Sequence, residues 1–466
     1  GLLWPLALWR QPRIIRTDRP LATILGTDAA GALYLAAVVL AAFAAFALAV
    51  WLAQGMSGRR PFLTVLCGAA VFSLILLPIY PAAANDVYHN VADARTLWLY
   101  GDNPIAIPPI VHAADPFYRN VIAWQTTPSI YGPLWYLLSG APLPFAGDAL
   151  WSNVIGQKAI TAVFLVSTTA LVMLTAARIQ PRAAVAAGVL VGWNPLLQFE
   201  TAGNAHNGIV MVFFATAALY AITRRWWLAV FPLLALAVAS KYVLGILGPV
   251  LLVWMWRRQD IPRRQIIASL LLGAVVGLAL YLPFLSDDPQ RNFLRESSFA
   301  SFSPSAVLHT VLYTRFGLNG LQALNLVKLI FIPAFLAGYG YLLYRIPRDA
   351  QGEDLARVSF WCVFLLLIFL TAWFGPWYLV FLVPLGALLA GSRPAQIAAV
   401  FSATAMLMYV PYFWLLHGDR VILQAATAGT AFLLPMLLAC WHLRSLLTRR
   451  TRSPALARIP RARPQP

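Results

Sequence analysis

Long apolar runs follow one another along most of the chain, separated by short polar links. Many runs reach roughly 18 to 25 residues, the length that an α-helix needs to cross about 30 Å of hydrocarbon. They are continuous rather than alternating, which excludes a β-barrel. The pattern predicts spans at about 30–54, 61–80, 151–177, 183–199, 206–223, 226–240, 242–256, 265–284, 323–345, 355–372, 377–391, 395–416 and 421–443. We therefore expect an all-α polytopic integral membrane protein with about 12–13 transmembrane helices, in one membrane domain over about 30–447.

The polar links are of two kinds, which predict the two sides of the membrane. Short links with clustered arginines alternate with links that carry Trp, Tyr, Pro, Asp and His. Because basic links stay in the cytoplasm, the second kind is expected to face outward. The outward links include a long first loop at about 81–150 and a second large loop at about 285–322. Chemistry is therefore expected on the outer face.

Composition agrees with a protein that sits in a bilayer. Of the 466 residues, 61% are hydrophobic and only 11% are charged. The net charge of +18 comes from short arginine clusters without a basic face or a binding motif, so no nucleic-acid partner is expected. The three cysteines are far apart within apolar runs and imply neither a disulfide framework nor a metal site.

Both ends of the chain are basic. Residues 448–466 form a Pro- and Arg-rich tail, which we expect to be cytoplasmic. The alternation of links puts the N-terminus outside, although the arginines between Arg10 and Arg19 oppose this orientation. An additional span upstream, or an interfacial segment over residues 1–29, would each explain them, and both interpretations stay open.

The stretch NDVYHNVADAR, which begins at Asn85, directly follows the second apolar run. Asp86 is expected at the lipid–water boundary, about one turn beyond the span. Its spacing to Asn90 and Asp93 puts the three side chains on one helix face. A carboxylate there suits a general base. An interfacial helix cap or an ion-pair partner for Arg95 is the ordinary structural alternative.

The chain after this helix is predicted to be irregular. GDNP at Gly101–Pro104 ends the helix. The stretch WQTTPSIYGPLWYLL at Trp124–Leu138 then carries prolines and a glycine into an apolar run. Non-helical backbone at that depth is tolerated only against protein or a wet cavity. We therefore expect this segment to line a cavity.

Later segments supply further candidates on the same side. Glu200 and His206 flank TAGNA at the outer end of a predicted helical hairpin. Lys241 lies between two short apolar segments, where an unpaired lysine is costly and either meets an anion or water or extends to the interface. The other candidates are Trp377 and Tyr378, which are ligand contacts or aromatic-belt anchors, and Arg420, which is a phosphate ligand or a solvated loop residue.

These motifs resemble the GT-C superfamily, and within it the bacterial polyprenol-phosphate-mannose-dependent α-1,6-mannosyltransferases. The resemblance is carried by an Asp-x-Tyr segment after an early span, the GDNP turn, TTPSIYGPLW, NPLLQFETAGNAHNG at Asn194–Gly208, the isolated Lys241 and the late Trp377-Tyr378 pair. It spans roughly residues 60–420. The chain departs from the family pattern His-Asn-Asp, because Gly208 follows His206 and Asn207.

The resemblance implies transfer of a hexose, expected to be mannose, from a polyprenyl-phosphate donor to a glycan or lipid-linked acceptor. The reaction would take place on the extracytoplasmic face of a bacterial plasma membrane, with inversion, and the 81–150 loop would be catalytic. Asp86 is implied as the catalytic base. Donor phosphate would meet Arg420, Lys241 and Arg95. Sugar or acceptor would meet Tyr88, His89, Asp93, Tyr131, Trp135, Glu200, His206, Asn207, Trp377 and Tyr378.

No cofactor is expected, because the chain carries no Gly-rich phosphate loop for a nucleotide. Acidic and histidine side chains are acceptable metal ligands, but a metal ion is not expected. A transporter or flippase of lipid-linked sugars is the competing class, since such proteins also carry intramembrane charges and broken helices. The crowding of polar groups on one side, without an internal repeat, favours the enzyme. The linkage, the acceptor and the oligomeric state do not follow from the sequence.

Overall fold

The computed structural model describes residues 20–285 and 300–452. Most of the predicted interfacial segment 1–29, part of the predicted loop 285–322 and most of the tail 448–466 lie outside the described residues. The α-helices, numbered in chain order, are α1 Pro20–Leu25, α2 Ala29–Ala53, α3 Arg59–Leu76, α4 Asp86–Trp98, α5 Pro133–Ser139, α6 Leu143–Ala146, α7 Leu150–Ile179, α8 Ala184–Gly192, α9 Pro195–Gln198, α10 Gly208–Thr223, α11 Val230–Ser240, α12 Leu247–Arg257, α13 Arg263–Tyr281, α14 Pro304–Arg315, α15 Gly320–Tyr344, α16 Gly352–Leu365, α17 Leu379–Ala387, α18 Arg393–Leu407, α19 Tyr409–Trp414 and α20 Arg420–Arg452.

Short 3₁₀ and π segments connect or extend several of these helices. The π segments are Phe199–Gly203 and Leu366–Leu370. The 3₁₀ segments are Pro109–His112, Tyr118–Asn120, Pro181–Ala183, Trp227–Ala229, Tyr242–Ile246, Leu282–Phe284 and Pro376–Tyr378. Sheet is limited, within the described residues, to one isolated parallel bridge between Ser301 and Trp373. The prediction of an all-α membrane protein is confirmed.

Apolar helices occupy the predicted span positions, and several of them are long enough to cross a membrane. Within the described ranges, seven helices are long and apolar enough to cross a bilayer, or eight if the bent pair Pro195–Gly203 and Gly208–Thr223 counts as one span. Four shorter apolar helices, Pro181–Gly192, Trp227–Ser240, Tyr242–Arg257 and Pro376–Ala387, occupy other predicted positions. Seven or more candidate spans in the described part of the chain are consistent with a polytopic membrane protein.

The core is built around α7, which packs against α3, α8 and α10. Helix α10 in turn packs on α11, and α11 packs on α13. Small residues allow these close approaches. A Cβ added at Gly188 would lie 2.4 Å from the sulfur of Met173 on α7. The buried face of α7 therefore meets its neighbours at short range and fixes the helices that carry the loops above them.

A buried lysine on α7 holds the chain just before Asp86. Lys158 is fully buried, and its ammonium donates to the carbonyl oxygen of Leu76 at 2.7 Å and to that of Ile79. These carbonyls lie at and just beyond the end of α3, where a helix leaves acceptors without partners and favours a cation. The segment that leads to Asp86 is thereby tied to the core.

The 81–150 loop follows the local predictions closely. Helix α4 begins at Asp86 and ends at Trp98, just before Gly101, whose φ of +72° suits a residue without a side chain. Between Asn120 and Pro133 the backbone is irregular, as predicted. Helix α5 then resumes at Pro133, with proline in its first turn.

Candidate active site

Asp86 lines a small cavity, here called the polar cavity, beside the irregular segment of the 81–150 loop. The cavity has a volume of about 50 Å³, and its other lining residues are His89, Trp124, Thr127, Pro128, Ser129, Ile130, Tyr131 and Trp373. Asp86 is half-buried at the first position of α4. A volume of this size holds a few water molecules or a hydroxyl group, but not a sugar ring.

A second cavity, here called the aromatic cavity, adjoins the first. Its volume of about 330 Å³ lies in the range of small-molecule pockets. Trp124 and Trp373 line both cavities, with ring centroids 5.6 Å apart. The remaining lining residues are Ala82, Ala83, Ala84, Asn85, Ser301, Phe302, Phe374, Gly375, Pro376, Trp377, Met408, Tyr409, Tyr412 and Phe413. The two tryptophans therefore divide a narrow chamber with a carboxylate from a wider aromatic chamber.

Backbone hydrogen bonds fix the position of Trp373, one of the two shared tryptophans. The amide of Ser301 donates to the carbonyl oxygen of Ala372 at 3.0 Å, and the amide of Phe374 donates to that of Ser301 at 2.9 Å. The amide of Phe302 also donates to Oε1 of Gln424 on α20 at 2.6 Å. Segments distant in sequence thus position Trp373.

His89 lies in the wall of the polar cavity, one turn after Asp86. Its Nδ1 is 3.2 Å from Oδ2 of Asp93, and its Nε2 is 3.2 Å from the carbonyl oxygen of Thr127. Burial opposes a charged imidazole, but the Asp93 carboxylate and the Thr127 carbonyl outweigh burial, so the pKa of His89 is raised. Asp93 is itself 1% exposed and lies behind His89 rather than in the cavity wall.

Lys241 lies beside the polar cavity, in the break between α11 and the segment Tyr242–Ile246. Its side chain is largely buried, with Nζ 5.1 Å from the ring centroid of Tyr131 and 5.6 Å from that of Tyr378. Both distances are in the range of cation–π attraction. Since Tyr131 lines the polar cavity, one aromatic ring separates this ammonium from the chamber that holds Asp86.

Glu200 and His206 form a buried support under the aromatic cavity. Oε2 of Glu200 is 2.9 Å from Nδ1 of His206, and Oε1 accepts a hydrogen bond from the Tyr409 hydroxyl at 2.9 Å. The His206 ring stacks on Trp377, with centroids 4.5 Å apart. Trp377 and Tyr409 face the cavity, whereas Glu200 and His206 lie outside its lining. In this structure Glu200 and His206 support these two aromatic residues, and their sugar contacts stay predictions.

Arg95 makes a buried ion pair instead of facing either cavity. Its Nε donates to both oxygens of Asp115 at 3.0 and 2.9 Å, and its Nη2 donates to Oδ1 of Asp148 at 2.6 Å. Its Nη1 donates to the carbonyl oxygen of Gly147 at 3.1 Å. These acceptors occupy the guanidinium and suit a structural role, and the phosphate contact of Arg95 stays a prediction.

The comparisons with known proteins identify the family. The family model described as "Alpha-(1->6)-mannopyranosyltransferase, N-terminal domain" matches residues 7–258, more than half of the chain. The chain belongs to the alpha-(1->6)-mannopyranosyltransferase family. It is also similar to Alpha-(1->6)-mannopyranosyltransferase A of Mycobacterium tuberculosis (strain ATCC 25618 / H37Rv), at 25% identity over 403 residues, covering 79% of this chain and 75% of that protein.

Membership in this family of mannopyranosyltransferases decides between the two classes that the sequence left open. The protein is a membrane-embedded glycosyltransferase, and a mannosyltransferase within that class, rather than a transporter. The matched residues 7–258 include Asp86, the irregular loop segment, Glu200 and Lys241. The polar cavity therefore lies largely in the part of the chain that carries the family match.

Several predicted contact residues of this mannosyltransferase lie away from both cavities. Tyr88 and Trp135 are fully buried, and Trp135 donates to Oδ1 of Asn90 at 3.3 Å. Arg420 is exposed at the first position of α20 and lines neither cavity. Asn207 is buried next to His206, and Tyr378 contacts Lys241, both outside the two linings. Their contacts with donor or acceptor stay predictions.

The site also contains residues that the sequence did not single out as ligand contacts. Trp124 and Trp373 stood within motifs of interest, but nothing in the sequence indicated that they meet. Tyr409 and Tyr412 lie at the end of a predicted span, where aromatic residues ordinarily face the lipid interface. Tyr409 stacks on Phe413, and Tyr412 meets Phe302 and Phe413 edge to face. Within the described residues, no group of three His, Cys, Asp or Glu side chains comes together as a metal site.

Proposed function

We propose that this mannosyltransferase moves mannose from a polyprenyl-phosphate donor to a hydroxyl group of a glycan or lipid-linked acceptor on the extracytoplasmic face, with inversion. One observation supports this proposal most directly. A small chamber with a carboxylate shares two lining tryptophans with an aromatic chamber of ligand size. A sugar in the wider chamber would present one hydroxyl to Asp86.

The chemistry is one displacement at the anomeric carbon. Asp86 accepts the proton of the acceptor hydroxyl while its oxygen forms the new glycosidic bond. The bond between the anomeric carbon and the phosphate oxygen breaks, and the electron pair leaves with the polyprenyl phosphate. A positioned base commonly contributes about 10²–10⁴-fold. Since a single displacement inverts configuration, an α-linked product requires a β-linked donor.

Lys241 is the cation best located to receive the departing phosphate. It is largely buried and lies against Tyr131, on the wall of the polar cavity. A cation held in place before reaction stabilises developing charge without reorganisation, and removal of such a group commonly costs about 10²–10³-fold. The donor phosphate is thus assigned to the Lys241 side, and the acceptor sugar to the aromatic cavity.

The test is turnover by the purified protein with a polyprenyl-phosphate mannose and an α-1,6-linked mannose oligosaccharide. Release of polyprenyl phosphate together with a new α-linkage, read by NMR, is expected. Asp86→Asn should abolish transfer while donor binding persists. Movement of the lipid-linked sugar across vesicles without bond formation, or an Asp86→Asn protein as active as wild type, would refute the proposal.

The two cations provide a matched comparison for the donor side. Lys241→Met should lower turnover and weaken donor binding. Arg420→Gln, which removes an exposed cation on α20, should leave both nearly unchanged. The opposite ranking of these two variants would return the phosphate to Arg420, as the sequence first suggested.

A further inference from the structure

The environment of His89 is unusual because both ring nitrogens face oxygen atoms that only accept hydrogen bonds. Nδ1 faces the Asp93 carboxylate at 3.2 Å, and Nε2 faces the Thr127 carbonyl oxygen at 3.2 Å. A neutral imidazole has one N–H and satisfies one such partner. Two acceptors therefore favour the imidazolium, which has an N–H on each side.

The buried carboxylate of Asp93 in turn requires the positive charge of His89. Its side chain is 1% exposed, and its ion-pair partner in the described part of the chain is His89, with Nδ1 3.2 Å from Oδ2. An uncompensated buried carboxylate is strongly unfavourable. The imidazolium of His89, one turn earlier on α4, is the counter-ion at hand. The Asp93 carboxylate thus favours the charged form of His89.

The pair also connects the two walls of the polar cavity. His89 and Asp86 stand one turn apart on α4, and both line the cavity. Thr127 belongs to the irregular segment that forms the opposite wall. Other ionisable groups also face this region. Tyr136 on α5 lies close to Asp93, and Lys241 is beyond Tyr131. Tyr409, whose hydroxyl donates to Glu200, lies within electrostatic range of Asp86.

We propose that His89 and Asp93 act as one positioning unit, in which the imidazolium ties the Thr127 segment to α4 and places a positive charge one helical turn from Asp86. The proposal rests on the proposed function of Asp86 as the base, and it assigns His89 a role other than the sugar contact expected from the sequence. An opposite charge within one helical turn favours an ionised carboxylate. Removing that charge should therefore narrow the pH range of mannose transfer at its acid end.

The test is the pH dependence of kcat/KM for mannose transfer. His89→Gln keeps a donor for the Thr127 carbonyl but removes the charge, and Asp93→Asn removes the partner that favours the charge. Both variants should move the acid limb of the profile upward by about one pH unit. Because the two residues act as a unit, the double variant should move it no further than either single change.

His112→Gln is the matched control. His112 forms another histidine–carboxylate pair in the same loop, with Nε2 3.0 Å from Oδ2 of Asp102, but it lies away from the polar cavity. Its acid limb should match the wild type. Asp93→Asn keeps the test open if His89→Gln does not fold, as judged by gel filtration.

Two results would overturn the proposal. An unchanged acid limb in His89→Gln or in Asp93→Asn would show that the pair contributes packing alone, even where kcat falls. An Asp86→Asn protein with wild-type turnover, measured in the same series, would instead refute the assignment of the base on which the proposal rests. The first result leaves the proposed function intact, and the second does not.

Discussion

Replacing Arg95 by methionine distinguishes a structural cation from a substrate-binding one. Methionine keeps most of the length of the side chain and removes the charge and all donors. Asp115, whose side chain is 5% exposed, would lose both hydrogen bonds from Nε, and Asp148 would lose its bond from Nη2. If Arg95 is structural, the variant loses stability, and donor binding by the folded fraction stays normal.

The size of the loss follows from the burial of the two carboxylates. Breaking a buried ion pair by removal of one partner costs about 3–5 kcal/mol. Asp148 is 64% exposed, so its share is below about 1 kcal/mol. Asp115 retains hydrogen bonds from the Tyr100 hydroxyl and the Phe117 amide, each 2.7 Å long. We therefore expect the lower end of the range, about 3 kcal/mol.

Thermal unfolding in detergent, with donor KM measured on the folded protein, provides the assay. Arg95→Met should lower the apparent Tm by several degrees, and Asp148→Asn should have little effect. Arg95→Met combined with Asp115→Asn should recover part of the loss, because the neutral amide no longer needs a counter-ion. An Arg95→Met protein with wild-type Tm and a clearly raised donor KM would refute the structural assignment and restore the phosphate contact.

Two further predictions concern the same region. Burial favours the neutral acid at Asp115, but hydrogen bonds from Tyr100 and Arg95 outweigh it and lower the pKa of Asp115. The contribution of Asp115 to stability is therefore complete above the ordinary pKa of 3.8 and is lost as the pH falls below it. The apparent Tm of Asp115→Asn should accordingly fall less than that of wild type between pH 5 and pH 3. Gly132→Ala should abolish transfer, because the new Cβ would lie 2.2 Å from the carbonyl oxygen of Ala239 and displace Tyr131, whereas Gly277→Ala, with open space around it, should transfer at the wild-type rate.

Local signals in the sequence were sufficient for the outline of the 81–150 loop. The start of α4 at Asp86, its end before Gly101 and the irregular segment before Pro133 each depend on a few neighbouring residues. The break at Lys241 was also predictable, because the lysine interrupts the apolar sequence between two short apolar segments. These features are decided by backbone preferences and by hydropathy, both of which act within one or two helical turns.

Which side chains face the cavities could not be predicted from local signals. Arg95 and Asp148 are separated by 53 positions, and the Tyr409 hydroxyl reaches Glu200 across 209 positions. Arg95 and Lys241 look equally suited to a phosphate in the sequence. They differ only because folding brings two carboxylates to one of them and aromatic rings to the other. Such a difference is a property of the tertiary arrangement, and single-sequence reasoning has no access to it.

Strained backbone conformations also cluster around the aromatic cavity. Positive φ values at non-glycine residues occur, within the described residues, at Trp124, Ala205, Phe302 and Arg225. Trp124 and Phe302 line the aromatic cavity, and Ala205 lies in the buried turn between Glu200 and His206 that supports it. A side chain in this conformation costs about 1–3 kcal/mol and persists only where the surroundings fix it. Three such costs around one chamber indicate that its walls are held in place before a substrate arrives. Cavity walls that are already rigid lose little conformational entropy when a substrate binds. Such preorganisation is what the proposed roles require, because Asp86 and Lys241 must be held in a fixed position relative to the reacting atoms.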